Sequence, residues 1–185
     1  MQVTLVYTPE EIHPDVLQWA TEGWPGKPED AIPFLKHLAA LRQSISRKCD
    51  HVIIVERGVV LDPDFKKKIY PILSKIPDTS TTCLLSHYVT SWQGLAFIDN
   101  TDKQLCTVNI NVHGSFAYWM RRTHIEHLLA IYDQPLRNIA KIDLTPDKVT
   151  HLIGKVCMVY TPLAARLDTP NYKAYFANYG FLEKA

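Results

Sequence analysis

Several signals that would assign a compartment or a class of chemistry are missing from this sequence. It has 4 cysteines among 185 residues, and none of them forms a Cys-x-x-Cys pair. No apolar run is long enough to cross a bilayer, and the amino terminus lacks a basic segment followed by an apolar core. Scattered cysteines without metal or redox spacing are typical of a reducing compartment. We therefore expect a cytoplasmic protein without a signal peptide or a transmembrane segment.

Motifs that would point directly to nucleic-acid or phosphate chemistry are missing as well. The 20 Lys and Arg residues nearly balance the 19 Asp and Glu residues, and no long basic patch is present. That balance argues against nucleic acid as the main partner. The chain also has no glycine-rich phosphate loop and no serine nucleophile elbow. The remaining evidence for function is the position of the polar residues on the predicted strands and helices.

Helical and strand-like segments alternate along a chain of one-domain length, which predicts a single α/β domain over residues 1–185. Its core is expected to be a mixed, mostly parallel central sheet flanked by helices. The predicted strands are Met1–Tyr7, Val52–Val55, Thr82–Tyr88, Leu95–Ile98, Thr107–Val112, an aromatic strand within 111–122, and Lys155–Tyr160. The predicted helices begin at Thr8, Asp30, Asp64, Thr123 and Thr145. The aromatic segment 168–185 is expected to pack back on the domain.

The apolar run Val52–Val55 and the residues after it are the centre of our interpretation. The run shows no alternation of apolar and polar residues, so both faces of the strand are expected to be buried. Ligands of open α/β sheets bind beyond the carboxyl ends of the strands. Glu56 and Arg57 stand at that end and are the first candidates for chemistry. The other interpretation is a core strand whose end is charged without a functional reason.

Four blocks of sequence, in order, resemble one enzyme family. Phe34–Leu38 corresponds to a helix motif Cys-x-x-Ser-His, of which His37 is matched, and Ile53–Val59 corresponds to Ile-x-Glu-Asp-Asp-Val. Gly114–Tyr118 corresponds to Gly-Thr-x-Ala-Tyr, and Val159–Leu163 to a late Tyr-x-x-x-Pro-Leu. By their order and spacing, over roughly residues 30 to 170, these blocks resemble glycosyltransferase family 25, the lipooligosaccharide and collagen-type galactosyltransferases.

This resemblance implies a GT-A-like domain that transfers a hexose from a nucleotide-diphosphate sugar to a glycan, hydroxyl or protein acceptor. In such a domain, Mn²⁺ or Mg²⁺ held by carboxylates stabilises the departing diphosphate. By the same resemblance, Glu56 and Arg57 would bind the donor, and Glu56 would be the metal ligand. His113 and Gly114 would border the acceptor. Asp143 would be the general base that deprotonates the acceptor hydroxyl.

The family's Glu-Asp-Asp motif reads Glu56-Arg57-Gly58 in this chain, so both aspartates are replaced. Three interpretations stay open. In one, Glu56 keeps a metal ion with help from Asp62 or Asp64, although these two residues also suit a turn and a helix cap. In another, the Arg57 guanidinium binds the diphosphate in place of the metal. In the third, the domain is catalytically inactive and binds or scaffolds a glycan or protein partner.

Other candidate residues each have a structural interpretation beside the functional one. His37 is either a site residue or a packed residue of its helix. Asp143 is either a base or a polar residue beside the Thr145 cap. The tryptophans could stack on sugar rings, although buried packing is the more usual role of an aromatic side chain. They are Trp19, Trp24, Trp92 and Trp119.

Overall fold

The computed structural model describes residues 2–47, 49–108, 112–138 and 155–181. The strands are β1 (Val3–Tyr7), β2 (His51–Val55), β3 (Val60–Leu61), β4 (Ser80–Leu84), β5 (Tyr88–Val89), β6 (Leu105–Thr107), β7 (Val112–His113), β8 (Ala117–Arg121), β9 (Lys155–Val159) and β10 (Ala164–Ala165). The helices are α1 (Pro14–Thr21), α2 (Ile32–Ile45), α3 (Phe65–Leu73), α4 (Arg122–Tyr132) and α5 (Pro170–Ala177). Short 3-10 turns cover Pro28–Ala31 and Leu136–Asn138. None of the helices in these ranges combines the length and the apolar character that crossing a membrane requires.

The main sheet has six strands in the order β1-β2-β8-β4-β9-β6. β1 pairs with β2, and β4 pairs with β9, in parallel, whereas β6 pairs with β9 in the antiparallel direction. Two small antiparallel ribbons, β3 with β10 and β5 with β7, lie outside this sheet. The predicted α/β class, with a mixed and mostly parallel sheet flanked by helices, is confirmed.

The chain divides into two compact units. The first consists of Met1–Arg57 and Met120–Ile153, and the second of Gly58–Trp119 and Gly154–Ala185. We describe each unit separately, and the prediction of a single domain over residues 1–185 stays a prediction.

The first unit is built on the central strand that the sequence predicted. Val52–Val55 of β2 are at most 1% exposed, so burial of this strand on both faces is confirmed. α2 turns Phe34, Leu38 and Leu41 into the core at the spacing of one helix face. The Phe34 ring meets the Tyr132 ring of α4 edge-on, with centroids 5.2 Å apart. These contacts fix α2 against the core and determine which of its residues face β2.

The helix start predicted at Thr8 and Pro9 is wrong. Thr8 continues the pairing of β1, because its N–H donates to the Val55 carbonyl at 2.9 Å. Its hydroxyl accepts a hydrogen bond from the Arg57 N–H, so it is not available to cap a helix. α1 begins instead at Pro14, where His13 occupies the cap position and its Nδ1 accepts a bond from the Asp15 N–H.

Two of the predicted strands are each divided into two shorter strands. The predicted strand Thr82–Tyr88 becomes β4 and β5, and the aromatic strand within 111–122 becomes β7 and β8. The break between β7 and β8 contains Gly114, whose φ of 82° is unfavourable for residues with a side chain. The segment Leu95–Ile98 is no strand of its own, but Phe97 forms an antiparallel bridge with Cys106 of β6.

The carboxyl-terminal aromatic segment packs back as predicted. Phe176 of α5 and the following Phe181 are at most 2% exposed and form a core cluster with Phe116 and Ala165. Thr169 begins the helix, because its hydroxyl accepts a hydrogen bond from the Tyr172 N–H. This cluster is the core that holds α5 on the second unit.

Candidate functional site

The carboxyl ends of β1 and β2 lie side by side in the first unit, where the sequence placed the donor site. The parallel register pairs Tyr7 with Val55, so the residues that follow both strands emerge at the same edge. The Thr8 N–H donates to the Val55 carbonyl at 2.9 Å, and the Arg57 N–H donates to the Thr8 hydroxyl at 3.1 Å. These two bonds hold the backbone on either side of Glu56 in a defined conformation.

A buried histidine holds the carboxylate of Glu56. His37 Nε2 lies 2.9 Å from Glu56 Oε1, and the imidazole is 1% exposed while the carboxylate is 14% exposed. α2 brings His37 to this position because it stands on the same buried face as Phe34 and Leu41. A hydrogen bond from a fixed ring restricts the rotamers of the carboxylate. His37 is therefore both a packed residue and a partner of a predicted site residue, so the two interpretations of it coincide.

Two cationic side chains next to Glu56 and His37 in the sequence both contact Glu10. Arg57 Nη1 is 3.1 Å from Glu10 Oε1, and the Arg57 side chain is 56% exposed. Lys36, one residue before His37, donates from Nζ to the Glu10 carbonyl. Because an exposed ion pair is worth little in water, Arg57 can exchange its carboxylate partner for a phosphate at small cost. The segment after β1 therefore brings a guanidinium and an ammonium group together at Glu10.

The acidic residues after β2 serve the turn that leads into α3. Asp62 Oδ1 accepts a hydrogen bond from the Asp64 N–H at 2.8 Å, and Asp62 Oδ2 lies 2.9 Å from Lys68 Nζ. Asp64 stands at the cap position of α3. Asp62 thus has the turn role, whereas the Asp64 side chain makes no capping hydrogen bond and instead lies 3.1 Å from Lys67 Nζ. Across the described ranges, no three His, Cys, Asp or Glu side chains come together in a group that could hold a metal ion.

The predicted acceptor residues belong to the second unit. His113 is an exposed residue of β7 and pairs with Tyr88 of β5. Gly114 has a structural requirement of its own, because a Cβ there would lie 2.7 Å from Phe116 Cε2. Their acceptor role stays a prediction, and Asp143 lies outside the described residues. The structure thus groups Glu56 and Arg57 with His37, and holds His113 and Gly114 in the other unit.

Sequence reasoning missed three members of the donor-site edge. Thr8 was assigned to a helix cap, and Glu10 and Lys36 were given no role. Lys36 could have been identified from the sequence, because it lies within Phe34–Leu38, the block in which His37 matches the family motif. Glu10 had none, because only the path of the chain after β1 brings it to Arg57.

The comparisons with known proteins bear on the fold. No protein-family model matches the chain, and no curated protein matches it. Among solved structures, the chain is similar to the "crystal structure of a glycosyltransferase involved in the glycosylation of the major capsid of PBCV-1", with a TM-score of 0.51 and 10% sequence identity. The match covers 85% of this chain and 81% of that chain. The fold of this protein is therefore glycosyltransferase-like.

Proposed function

We propose that this protein is a glycosyltransferase that takes a hexose from a nucleotide-diphosphate sugar, with the diphosphate bound at the carboxyl ends of β1 and β2. The observation that carries the proposal is the Glu56 carboxylate, held by buried His37 at 2.9 Å and followed directly by Arg57. The glycosyltransferase-like fold supports it at the level of architecture. The four sequence blocks that resemble family 25 support the hexose and a glycan or protein acceptor.

The chemistry asked of the site is stabilisation of a leaving group. The acceptor hydroxyl oxygen forms a bond to the anomeric carbon. The bond between that carbon and the diphosphate oxygen breaks, and the diphosphate leaves with the electron pair. Arg57 would form two parallel hydrogen bonds to phosphate oxygens, and Lys36 would add a second positive charge. Glu56 would accept a hydrogen bond from a hydroxyl of the donor, because a carboxylate has acceptor positions beyond the one facing His37. By the resemblance to family 25, His113 and Gly114 would border the acceptor, and Asp143 would take the proton of its hydroxyl.

The resemblance to family 25 implies that Mn²⁺ or Mg²⁺ binds the diphosphate. Glu56 is the one carboxylate left in the motif, and the described residues offer no group of three metal-binding side chains. These residues do not fit a resident metal ion, and the proposed reaction uses none. We propose that donor binding is independent of metal, and a metal requirement is a measured outcome of the tests below.

A second candidate is a catalytically inactive domain that binds or scaffolds a glycan or protein. The observation that favours it is the replacement of both family aspartates by Arg57 and Gly58. Gly58 has a φ of 85°, a conformation that an aspartate would adopt only with strain, so the backbone at this position suits the glycine.

Release of nucleoside diphosphate from sugar donors separates the two candidates. UDP-glucose, UDP-galactose, GDP-glucose and GDP-mannose are incubated with the protein, with and without Mn²⁺ and with lactose as a model acceptor. The transferase proposal expects release from one donor, and a loss of at least about tenfold in Glu56→Gln. Glu126→Gln is the matched control, because the Glu126 carboxylate also has a side-chain partner, Arg122 at 2.8 Å, but on α4. Nucleotide binding without release from any donor would favour the inactive domain.

A further inference from the structure

We propose that Trp92, Phe97 and Tyr160 form a binding surface for a neutral glycan in the second unit, and we call these three side chains the aromatic platform. The rings of Trp92 and Tyr160 have centroids 5.2 Å apart at an interplanar angle of 56°. Those of Phe97 and Tyr160 are 5.1 Å apart at 60°. Trp92 is 40% exposed and Tyr160 is 41% exposed, so the contiguous rings are in contact with solvent. This surface does not depend on the donor site proposed above.

The backbone explains why two of these rings share a face. Phe97 bridges Cys106, and Cys106 pairs with Met158 of β9. The Tyr160 N–H donates to the Gln104 carbonyl at 2.8 Å, which extends the same antiparallel pairing by two residues. Because side chains two residues apart along a strand point to the same side, Tyr160 follows Met158 onto the face that carries Phe97. The platform is therefore set by strand register.

A buried histidine anchors the third ring. The His87 ring, which is 0% exposed, meets Trp92 edge-on at a centroid distance of 6.2 Å. His87 Nε2 donates to the Val159 carbonyl at 2.8 Å, because a carbonyl can only accept. Its Nδ1 accepts a hydrogen bond from the Tyr175 hydroxyl, 3.1 Å away. Trp92 is therefore held in place before any ligand arrives, and such preorganisation favours binding.

The size and chemistry of the platform match a sugar. The C–H face of a pyranose carries partial positive charge and stacks on the negative face of an aromatic ring. Three exposed side chains near the platform can form hydrogen bonds to sugar hydroxyls. Gln93 follows Trp92 in the sequence, Gln104 accepts a hydrogen bond from the Tyr160 N–H through its carbonyl, and Lys103 precedes Gln104. The Lys103 ammonium is 6.0 Å from the centroid of the Phe97 ring. A protein partner would need about 800 Å² on each side, far more than three partly exposed rings provide.

The test is saturation-transfer NMR of the full chain with maltohexaose, cellohexaose, chitohexaose and β-1,4-galactotetraose, followed by titration of any binder. Trp92→Ala and Tyr160→Ala are each expected to weaken binding by about tenfold. Trp19→Ala is the matched control, because Trp19 is equally exposed, at 44%, but lies on α1 in the first unit. Trp92→Phe, which keeps a ring, should retain part of the affinity and guards against a folding defect in the alanine variant.

Three results would overturn this proposal. One is the absence of saturation transfer to every oligosaccharide at millimolar concentration. Another is binding that Trp92→Ala and Tyr160→Ala leave at the wild-type level. Displacement of a bound oligosaccharide by UMP alone would also contradict it, because the rings would then be stacking on a nucleobase.

Discussion

At the scale of single residues, the contact between His37 and Glu56 links the core of the first unit to its candidate chemistry. The imidazole is buried by the packing of α2, and the carboxylate is the residue that follows the most buried strand of the unit. A polar pair of this kind stabilises the fold only while both partners are present, because removing one leaves the other without its hydrogen bond. The candidate site therefore contributes to the stability of the fold, so each mutation here must be measured for its effect on stability as well as on activity.

We predict that His37→Ala lowers the free energy of unfolding by about 2 kcal/mol, because it removes a buried ring and leaves the Glu56 carboxylate without this partner. The measurement is urea unfolding of His37→Ala, Glu56→Gln and the double variant. The coupling between the two sites is expected to be about 1 kcal/mol. His127→Ala, an exposed histidine of α4, should change stability by less than about 0.5 kcal/mol. Additive effects of the two site variants would show that the contact does not form.

His87 gives a second prediction at this scale, through pH. Burial lowers the pKa of His87 to about 4 from 6.5. Between these two values the unfolded chain takes up a proton that the folded chain does not, so stability falls as the pH drops from 6.5 toward 4. From pH 7 to pH 5 this histidine should account for a loss of about 2 kcal/mol.

The measurement for His87 is urea unfolding at pH 7 and pH 5. His87→Gln removes the titrating group, so its stability should fall less over this interval than that of the wild type. His127→Gln should keep the wild-type dependence, because it leaves His87 in place. Parallel pH profiles for the wild type and His87→Gln would contradict the assignment.

At the scale of elements, the sequence was sufficient where one local pattern decided the structure. The unbroken apolar run Val52–Val55 demanded burial on both faces, and β2 has it. The start of α1 was misjudged because Thr8 has two competing uses, as a helix cap and as an acceptor for the Arg57 N–H. The second use depends on β2 lying beside β1, which no local pattern at Thr8 reveals. Tertiary pairing therefore overrode a good local signal.

The same reasoning explains how much of the candidate site was predictable. Glu56 and Arg57 follow directly from the end of a buried strand, and His37 from the helix block that precedes it. The contact between Glu10 and Arg57 could not be predicted from the sequence, because the two residues are 47 positions apart. They meet only because the loop after β1 passes the end of β2. The sequence therefore predicted the site residues that local patterns mark, but not the partners that come from distant segments of the chain.

α5 gives the prediction at this scale. We expect Phe176→Ala to lower the free energy of unfolding by about 3 to 5 kcal/mol, because Phe176 is 0% exposed and meets Phe181 and Tyr175 ring to ring. Lys173→Ala, on the exposed part of the same helix, should cost less than about 0.5 kcal/mol. Denaturant unfolding of both variants measures this difference. Equal, small effects would mean that α5 does not belong to the core of the second unit.

At the scale of the whole molecule, the fold and the function rest on different kinds of support. The order of the six strands and the 85% coverage by a glycosyltransferase structure establish a glycosyltransferase-like fold. A fold hosts many activities, so the activity must come from the site. In this chain the candidate site consists of Glu56, held by His37, and of Arg57, which follows Glu56 directly. Binding of a nucleoside diphosphate is the property that decides whether this candidate site is a donor site.

The most direct measurement is a thermal-shift series with UDP, GDP and CMP and their sugars, each with and without Mn²⁺. Our account predicts that one nucleotide raises the melting temperature without Mn²⁺, by about 5 to 10 °C at a hundredfold excess over its Kd. Arg57→Ala should abolish this shift. Arg42→Ala should retain it, because Arg42 is paired with Asp133 at 2.8 Å in a similar exposed ion pair of the same unit. A shift that requires Mn²⁺ would contradict the metal-independent site, and no shift with any nucleotide would contradict the proposed donor site altogether.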